Sequence, residues 1–237
     1  MTMKPNKNWF YALPGDRLLA EISLWSADLL AIGADMDRID RHTDLYHLDV
    51  TDGHFSPALL LFPDLVKAIR GRTSKPLHVH LMMQDAILSE QITQFSDAGA
   101  DLVSIHAENI SVGSAIDKIR RLGMRAGLVL TLDTPVAHIE EHLDKVSFVT
   151  LLGTRIGVKG RGLDESALER MAAARHIIES RPHANRIVLA ADGAIREHTV
   201  PDLRRAGADA VVMGSLAFAE KELDARMDWV RKMPSAP

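Results

Sequence analysis

Arg186-Ile187-Val188-Leu189-Ala190-Ala191-Asp192-Gly193 is the stretch on which the reading of the fold turns. Its apolar residues, Ile187 to Ala191, run without the polar alternation of a half-solvated strand. Such a run suits a strand covered on both faces, as in a parallel sheet. An amphipathic stretch follows, Glu197 to Ala206. Then come the helix-ending glycine of Ala206-Gly207-Ala208-Asp209 and a second dense apolar run, Ala210-Val211-Val212-Met213. Strand, helix and strand of the same kind make one parallel βα unit.

The same alternation extends back to Leu18. Strands are predicted at Leu18 to Leu24, Leu45 to Val50, Leu77 to Met82, Asp101 to His106, Arg125 to Leu130, Lys145 to Leu151, Arg186 to Ala191 and Asp209 to Met213. Helices are predicted at Ala27 to Arg41, Pro63 to Gly71, Asp85 to Ala98, Ser111 to Leu122, Pro135 to His142, Asp164 to Ser180, Glu197 to Ala206 and Ala217 to Arg231. Eight strands, each followed by a helix, spell an α/β fold, the (β/α)8 TIM barrel. Ala98-Gly99-Ala100-Asp101 repeats the helix-to-strand punctuation, whereas Gly33 falls inside the first helical stretch and reads as a tolerated glycine. Residues 1–17, with Trp9-Phe10-Tyr11, form an N-terminal extension expected to pack across the barrel bottom or onto a partner subunit; residues 18–237 are expected to be a single barrel domain.

A chain of 237 residues suits one such barrel. It has no cysteine, which excludes disulfide and thiolate chemistry. With 28 Lys and Arg against 32 Asp and Glu, interspersed, it offers no basic footprint for nucleic acid. Met1 to Asp16 lacks a signal-peptide pattern, and no apolar run approaches the ~20 residues that span a bilayer. The expectation is a soluble, cytoplasmic protein with a small-molecule partner, and neither nucleic acid nor membrane.

Barrels of this kind place their chemistry at the C-terminal strand ends. Strand two ends in His47-Leu48-Asp49, whose i and i+2 side chains point the same way into the mouth. Strand three carries His78-Val79-His80-Leu81-Met82, and strand seven ends at Asp192-Gly193. Two carboxylates converging there without a cation would force one to stay protonated. With two imidazoles they form a mixed N/O site for one divalent ion, Zn²⁺, Mn²⁺, Fe²⁺ or Co²⁺. His78 is either an extra ligand or a packing and orienting group, and His106 either touches substrate or is structural. Glycine turns at Gly157-Val158-Lys159-Gly160, Gly193 and Gly214-Ser215 expose backbone N–H groups suited to a phosphate.

These residues together resemble the ribulose-phosphate 3-epimerases and their relatives acting on ketohexose 6-phosphates. The resemblance is carried by Ile22-Ser23-Leu24-Trp25-Ser26-Ala27-Asp28, by His47-Leu48-Asp49-Val50-Thr51-Asp52-Gly53-His54-Phe55, by His80-Leu81-Met82, by Asp192-Gly193-Ala194-Ile195 and by Gly214-Ser215, in that order from about Glu21 to Phe218. It implies that His47, Asp49, His80 and Asp192 hold the metal, zinc first among the candidates, and that Asp49 and Asp192 are the acid/base pair. It places Ser23, His80 and Met82 near the substrate, and Gly193, Gly214 and Ser215 on its phosphate. The reaction implied is inversion of C3 of a phosphorylated ketose through an enediolate, in a homo-oligomer. A phosphate-binding-barrel decarboxylase or isomerase and a non-catalytic sugar-phosphate binder are the competing readings.

The chain departs from that pattern in places. Thr51 and, by alignment, Val149 stand where the family has methionine, leaving Met82 as the soft apolar cap. Gly153-Thr154-Arg155-Ile156-Gly157-Val158-Lys159-Gly160-Arg161-Gly162 replaces the usual phosphate clamp after strand six, and Arg155, Lys159 and Arg161 are read as phosphate or substrate contacts. Ala58 stands where Asn is common. Ala194 replaces a glycine and is expected to adopt an ordinary φ.

Overall fold

The computed structural model describes residues 3–158, 160–180 and 186–234. Its strands are β1 (Leu19–Ser23), β2 (Leu45–Thr51), β3 (Leu77–Met82), β4 (Leu102–His106), β5 (Arg125–Leu130), β6 (Phe148–Leu152), β7 (Val188–Asp192) and β8 (Ala210–Met213). All pair in parallel, in chain order, and β8 closes on β1. The dense apolar runs are therefore strands clad on both sides, as their sequence requires. The helices are α1 (Trp9–Ala12), α2 (Ile32–Ile39), α3 (Pro63–Arg70), α4 (Asp85–Ala98), α5 (Val112–Arg121), α6 (Ala167–Ser180), α7 (Val200–Arg205), α8 (Ser215–Phe218) and α9 (Leu223–Arg231). Gly99 and Gly207 take left-handed φ values of 99° and 111° at their helix ends, where a residue without Cβ turns the chain at least cost.

Three helical expectations change. The first helix begins at Ile32 rather than Ala27, because the Asp28 carboxylate accepts from Leu30 N–H at 3.0 Å while Asp28 N–H donates to Asp35 at 2.8 Å, so a looped cap precedes it. Gly33 sits in its first turn, where a Cβ would lie 3.0 Å from the Arg72 guanidinium, the end of a flexible, half-exposed side chain. Pro135 to His142 forms only a 3₁₀ turn, Val136–Ile139, which buries Ile139 alone. The last helix splits into α8 and α9, as the Glu220 carboxylate accepts from Glu222 N–H at 3.1 Å and ends the continuous run.

Alternation along each strand divides the core in two. Outward residues pack with the helices in one large cluster, and inward residues Leu19, Leu45, Leu102, Phe148, Val188, Ala190 and Ala210 fill the lower barrel with Phe10 of α1 beneath them. Phe10 is 1% exposed, its ring 6.3 Å from that of Phe148. Arg125 and Arg186 lie over its ring, and Arg186 donates to the carbonyls of Leu13 and Pro14 at 2.7 and 2.8 Å. The extension thus plugs the barrel bottom. Phe10→Ala is expected to cost about 3 kcal/mol, read from the urea midpoint; a loss below about 1 kcal/mol would show that the plug contributes little.

Candidate active site

At the opposite end, the register sets Asp49 beside His80 and Leu152 beside Asp192. His47 and Asp49 share a face of β2, and both point inward with His80 of β3 and Asp192 of β7. Nε2 of His47 lies 3.2 Å from Asp49 Oδ1 and 3.8 Å from Asp192 Oδ2. Nδ1 of His80 lies 3.4 Å from Asp49 Oδ1 and 3.8 Å from Asp192 Oδ2, and it makes no hydrogen bond although buried. One ligand atom from each of the four falls within 4.8 Å of the others.

Beneath this set lies a buried polar layer that the sequence reading passed over in part. Glu21 of β1, 0% exposed, accepts from His47 Nδ1 at 2.7 Å and from His78 Nδ1 at 2.5 Å. His78 Nε2 in turn accepts from the Ser104 hydroxyl at 2.6 Å. His78 therefore faces Glu21 and Ser104, below the four converging atoms, and serves to orient rather than to join them. His106 does not line the cavity: its Nε2 meets His80 Nε2 at 2.8 Å and its Nδ1 meets Glu108 Oε2 at 2.9 Å. Ser23 donates to Asp49 Oδ2 at 2.8 Å, fixing that carboxylate.

The environments drive the two mouth carboxylates apart. Burial works against charge on Asp49, but His47 and His80 outweigh it and hold the group well below the usual carboxylate range. Burial pushes Asp192 up to about 6, with the Asp49 charge adding to the rise against the pull of His47 and His80. Glu21, although buried, is held down to about 2 by His78 and His47. Carboxylates whose proton affinities are split in this way are arranged for opposite roles in proton transfer. A divalent cation fits the set: two imidazole nitrogens and two carboxylate oxygens converge, one nitrogen is buried without a partner, and no Lys or Arg lies among them.

Above the set is a cavity of about 320 Å³. Ser23, Asp49, His80, Met82, Asp192, Gly157, Gly160, Gly193, Gly214 and Ser215 all line it, while His47 lies just beneath. Gly214 has no room for a side chain, because a Cβ would stand 2.4 Å from Ser26 Oγ. Gly157, at φ 70°, packs its backbone against Ser56 and Pro57 of the loop after β2, so the loop after β6 is seated on that loop. Arg155 and Arg161 line the cavity, joined by Arg196, which the sequence reading did not single out; Lys159 lies outside the described residues.

Two expectations about the walls need correction. Val149 packs outward among the helix contacts, while the inward positions of β6 are Phe148, Thr150 and Leu152, so Val149 has no part in the apolar cap of the cavity. Ala194 does not take an ordinary φ: it sits at +54°, directly after Gly193 at +92°. The Thr199 hydroxyl holds that turn by donating to Ala194 O at 2.8 Å. Thr51 donates its hydroxyl to the carbonyl of Ala58 and ties down the loop after β2.

Solved structures of similar shape include 3-hexulose-6-phosphate synthase (TM-score 0.65, 15% identical, covering 92% of this chain and 100% of that one). Orotidine 5'-phosphate decarboxylase of Pyrococcus horikoshii is another (TM-score 0.64, 16% identical, 90% and 97% covered). At such identity they attest the barrel alone. Sequence comparison is more specific. Ribulose-phosphate 3-epimerase of Aquifex aeolicus is 34% identical over 222 residues, 92% of this chain and 96% of its own length. That of Bacillus subtilis is 32% identical over 202 residues, 84% and 92% respectively. The model of the Ribulose-phosphate 3 epimerase family matches residues 19–218, the whole barrel from β1 through α8. A barrel whose mouth holds this His/Asp set, and whose sequence matches along that length, belongs to the ribulose-phosphate 3-epimerase family.

Proposed function

We propose that the protein inverts C3 of a phosphorylated ketose, D-ribulose 5-phosphate or a ketohexose 6-phosphate, using Asp49 and Asp192 as the acid/base pair and one divalent ion held by His47, Asp49, His80 and Asp192. The observation that carries this reading is the convergence of two carboxylates, from strands β2 and β7, with two imidazoles within 4.8 Å of one another at the barrel mouth, where their surroundings push Asp49 down and Asp192 up. Epimerisation next to a ketone needs a proton removed from one face and another returned to the opposite face. Ionised Asp49 is ready to accept, and Asp192, whose carboxyl is held protonated more readily, is ready to donate. When bound, the cation, zinc first among the candidates, supplies electrostatic stabilisation of the enediolate charge.

The chain's own residues do the positioning. Ser23 fixes Asp49 through its hydroxyl. Met82 gives the cavity an apolar wall, and the turns at Gly157, Gly160, Gly193, Gly214 and Ser215 are assigned to the phosphate, with Arg155, Arg161 and Arg196 adding positive charge on the loops above. The same reading includes assembly into a homo-oligomer. A decarboxylase of this barrel class would place a lysine by the metal, and no described lysine lines the cavity.

The test is proton NMR of D-ribulose 5-phosphate and D-allulose 6-phosphate, incubated separately in D₂O with protein loaded with Zn²⁺ or Mn²⁺. The expected result is loss of the C3 proton signal with appearance of the epimer, for the preferred substrate. Tight binding of both sugars without any exchange at C3 would replace this proposal with a silent binder.

A further inference from the structure

His80 presents Nδ1 to the site, and its far nitrogen begins a chain of hydrogen bonds leading away from it. Nε2 of His80 meets Nε2 of His106 at 2.8 Å, and Nδ1 of His106 meets Glu108 Oε2 at 2.9 Å. The other Glu108 oxygen accepts from Thr131 N–H at 3.0 Å, from the Thr131 hydroxyl at 2.8 Å and from the Thr134 hydroxyl. The rings are held in place, since His80 and His106 meet head to head with their planes 27° apart and Phe55 covers His106 at 4.8 Å.

Resting on the proposed metal site, we infer that Glu108 and His106 are positioning residues that dictate which nitrogen of His80 is free to bind the ion. The argument runs from the far end. An ionised carboxylate can only accept, so His106 must carry its proton on Nδ1, which leaves Nε2 bare. A bare Nε2 on His106 requires the proton of His80 on Nε2, and that leaves Nδ1 unprotonated and facing Asp49 and Asp192. Polarity is thus set by Glu108 and passed through two rings. His47 is oriented in one step, its Nδ1–H held by Glu21 at 2.7 Å, which points its Nε2 into the site toward Asp49 Oδ1, 3.2 Å away. Both nitrogen ligands therefore have a carboxylate behind them, one directly and one at a remove, the kind of support that fixes a ligating imidazole.

Glu108→Gln tests the inference, because the amide is the same size and can reverse the chain. The Thr131 N–H still requires an acceptor, so the amide oxygen turns to it and the NH₂ turns to His106. His106 Nδ1 then accepts, its Nε2–H donates to His80, and the His80 proton moves to Nδ1, blocking the ligand position. Two readouts apply. Long-range ¹⁵N–¹H NMR of the metal-free proteins reads the tautomer of His80, expected as Nε2–H in the wild type and Nδ1–H in the variant. Competition with a chromophoric chelator reads Zn²⁺ affinity, expected to fall roughly 10–100-fold. His106→Phe, which keeps a ring against Phe55 but removes both nitrogens, is expected to weaken Zn²⁺ by a similar factor and serves if the first variant fails to fold. Wild-type Zn²⁺ affinity in a folded variant, or an unchanged His80 tautomer in Glu108→Gln, overturns the inference, and a merely structural role would lower thermal stability while leaving both readouts alone. Should the wild type itself bind no divalent ion, the metal reading of the site fails, while the tautomer of His80 still decides whether Glu108 sets it.

Discussion

Asp49→Asn and Asp192→Asn each lower turnover by roughly 10²–10⁴-fold or more, the contribution of one positioned proton-transfer group, while the barrel stays folded. Each carboxamide keeps the volume of the side chain and removes both its capacity to exchange a proton and its charge toward a cation. The two variants differ in the stability of the metal-free protein. Burial raises the Asp192 carboxyl to about 6, above its unfolded value, so the folded state favours the protonated form. That contribution is fully present below the unfolded value near pH 4 and is lost as pH rises through about 6. Above that, wild-type metal-free protein holds a disfavoured charge, and Asp192→Asn should be more stable than wild type by up to about 2 kcal/mol at pH 8 but not at pH 4. Asp49, held low by His47 and His80, behaves oppositely, and its replacement destabilises at neutral pH. Initial rates with saturating Zn²⁺, together with urea melts at the two pH values, check both halves. A variant that retains a tenth of wild-type turnover would remove that residue from the proton-transfer pair.

Glu21→Ala is expected to cost about 3–5 kcal/mol, the range for stripping one partner from a buried charged network. Two imidazole N–H groups, on His47 and His78, would lose their acceptor in a layer with no water access. His78 and His47 hold the carboxyl near 2 against the opposing effect of burial, so the network is ionised at neutral pH, and wild-type stability should show no titration from this group above about pH 6, losing its contribution only as pH falls from there toward 2. The loss should appear as a lower urea midpoint with unchanged slope. Divalent-ion affinity should fall with it, because His47 is then free to protonate the wrong nitrogen. A cost under 1 kcal/mol would mean that the layer is hydrated, and a fall in stability without a fall in affinity would mean that Glu21 supports packing only.

How much of this was legible depends on what each residue answers to. The strands and the mouth set were readable because period-2 alternation and strand-end placement act over a few residues, and His47-Leu48-Asp49 carries both in three letters. Glu21 carried a signal too: a lone charge in Leu18-Leu19-Ala20-Glu21-Ile22 on the same face as Ser23 has to be paired inside. Its partners lie 26 and 57 positions away in sequence, and only closure of the barrel names them. Val149, expected in the apolar cap of the cavity, faces the helices instead, because on a strand a step of one residue exchanges the inner and outer faces. The helix boundaries moved where a carboxylate, Asp28 or Glu220, captured backbone amides before the helical pattern could extend.

The turn after β7 has a further consequence. Alanine at φ +54° costs on the order of 1 kcal/mol relative to an unstrained backbone, and it also has far fewer alternative conformations than glycine would have at the same place. With its carbonyl tied by Thr199, the turn is shaped in advance and, on the proposed assignment of this turn to the phosphate, would give up little disorder on binding. Glycine at this position would relax the turn yet leave more motion to be frozen on binding. On that assignment alanine exchanges suppleness for readiness, a small permanent tension in the turn standing in place of an ordering step on binding.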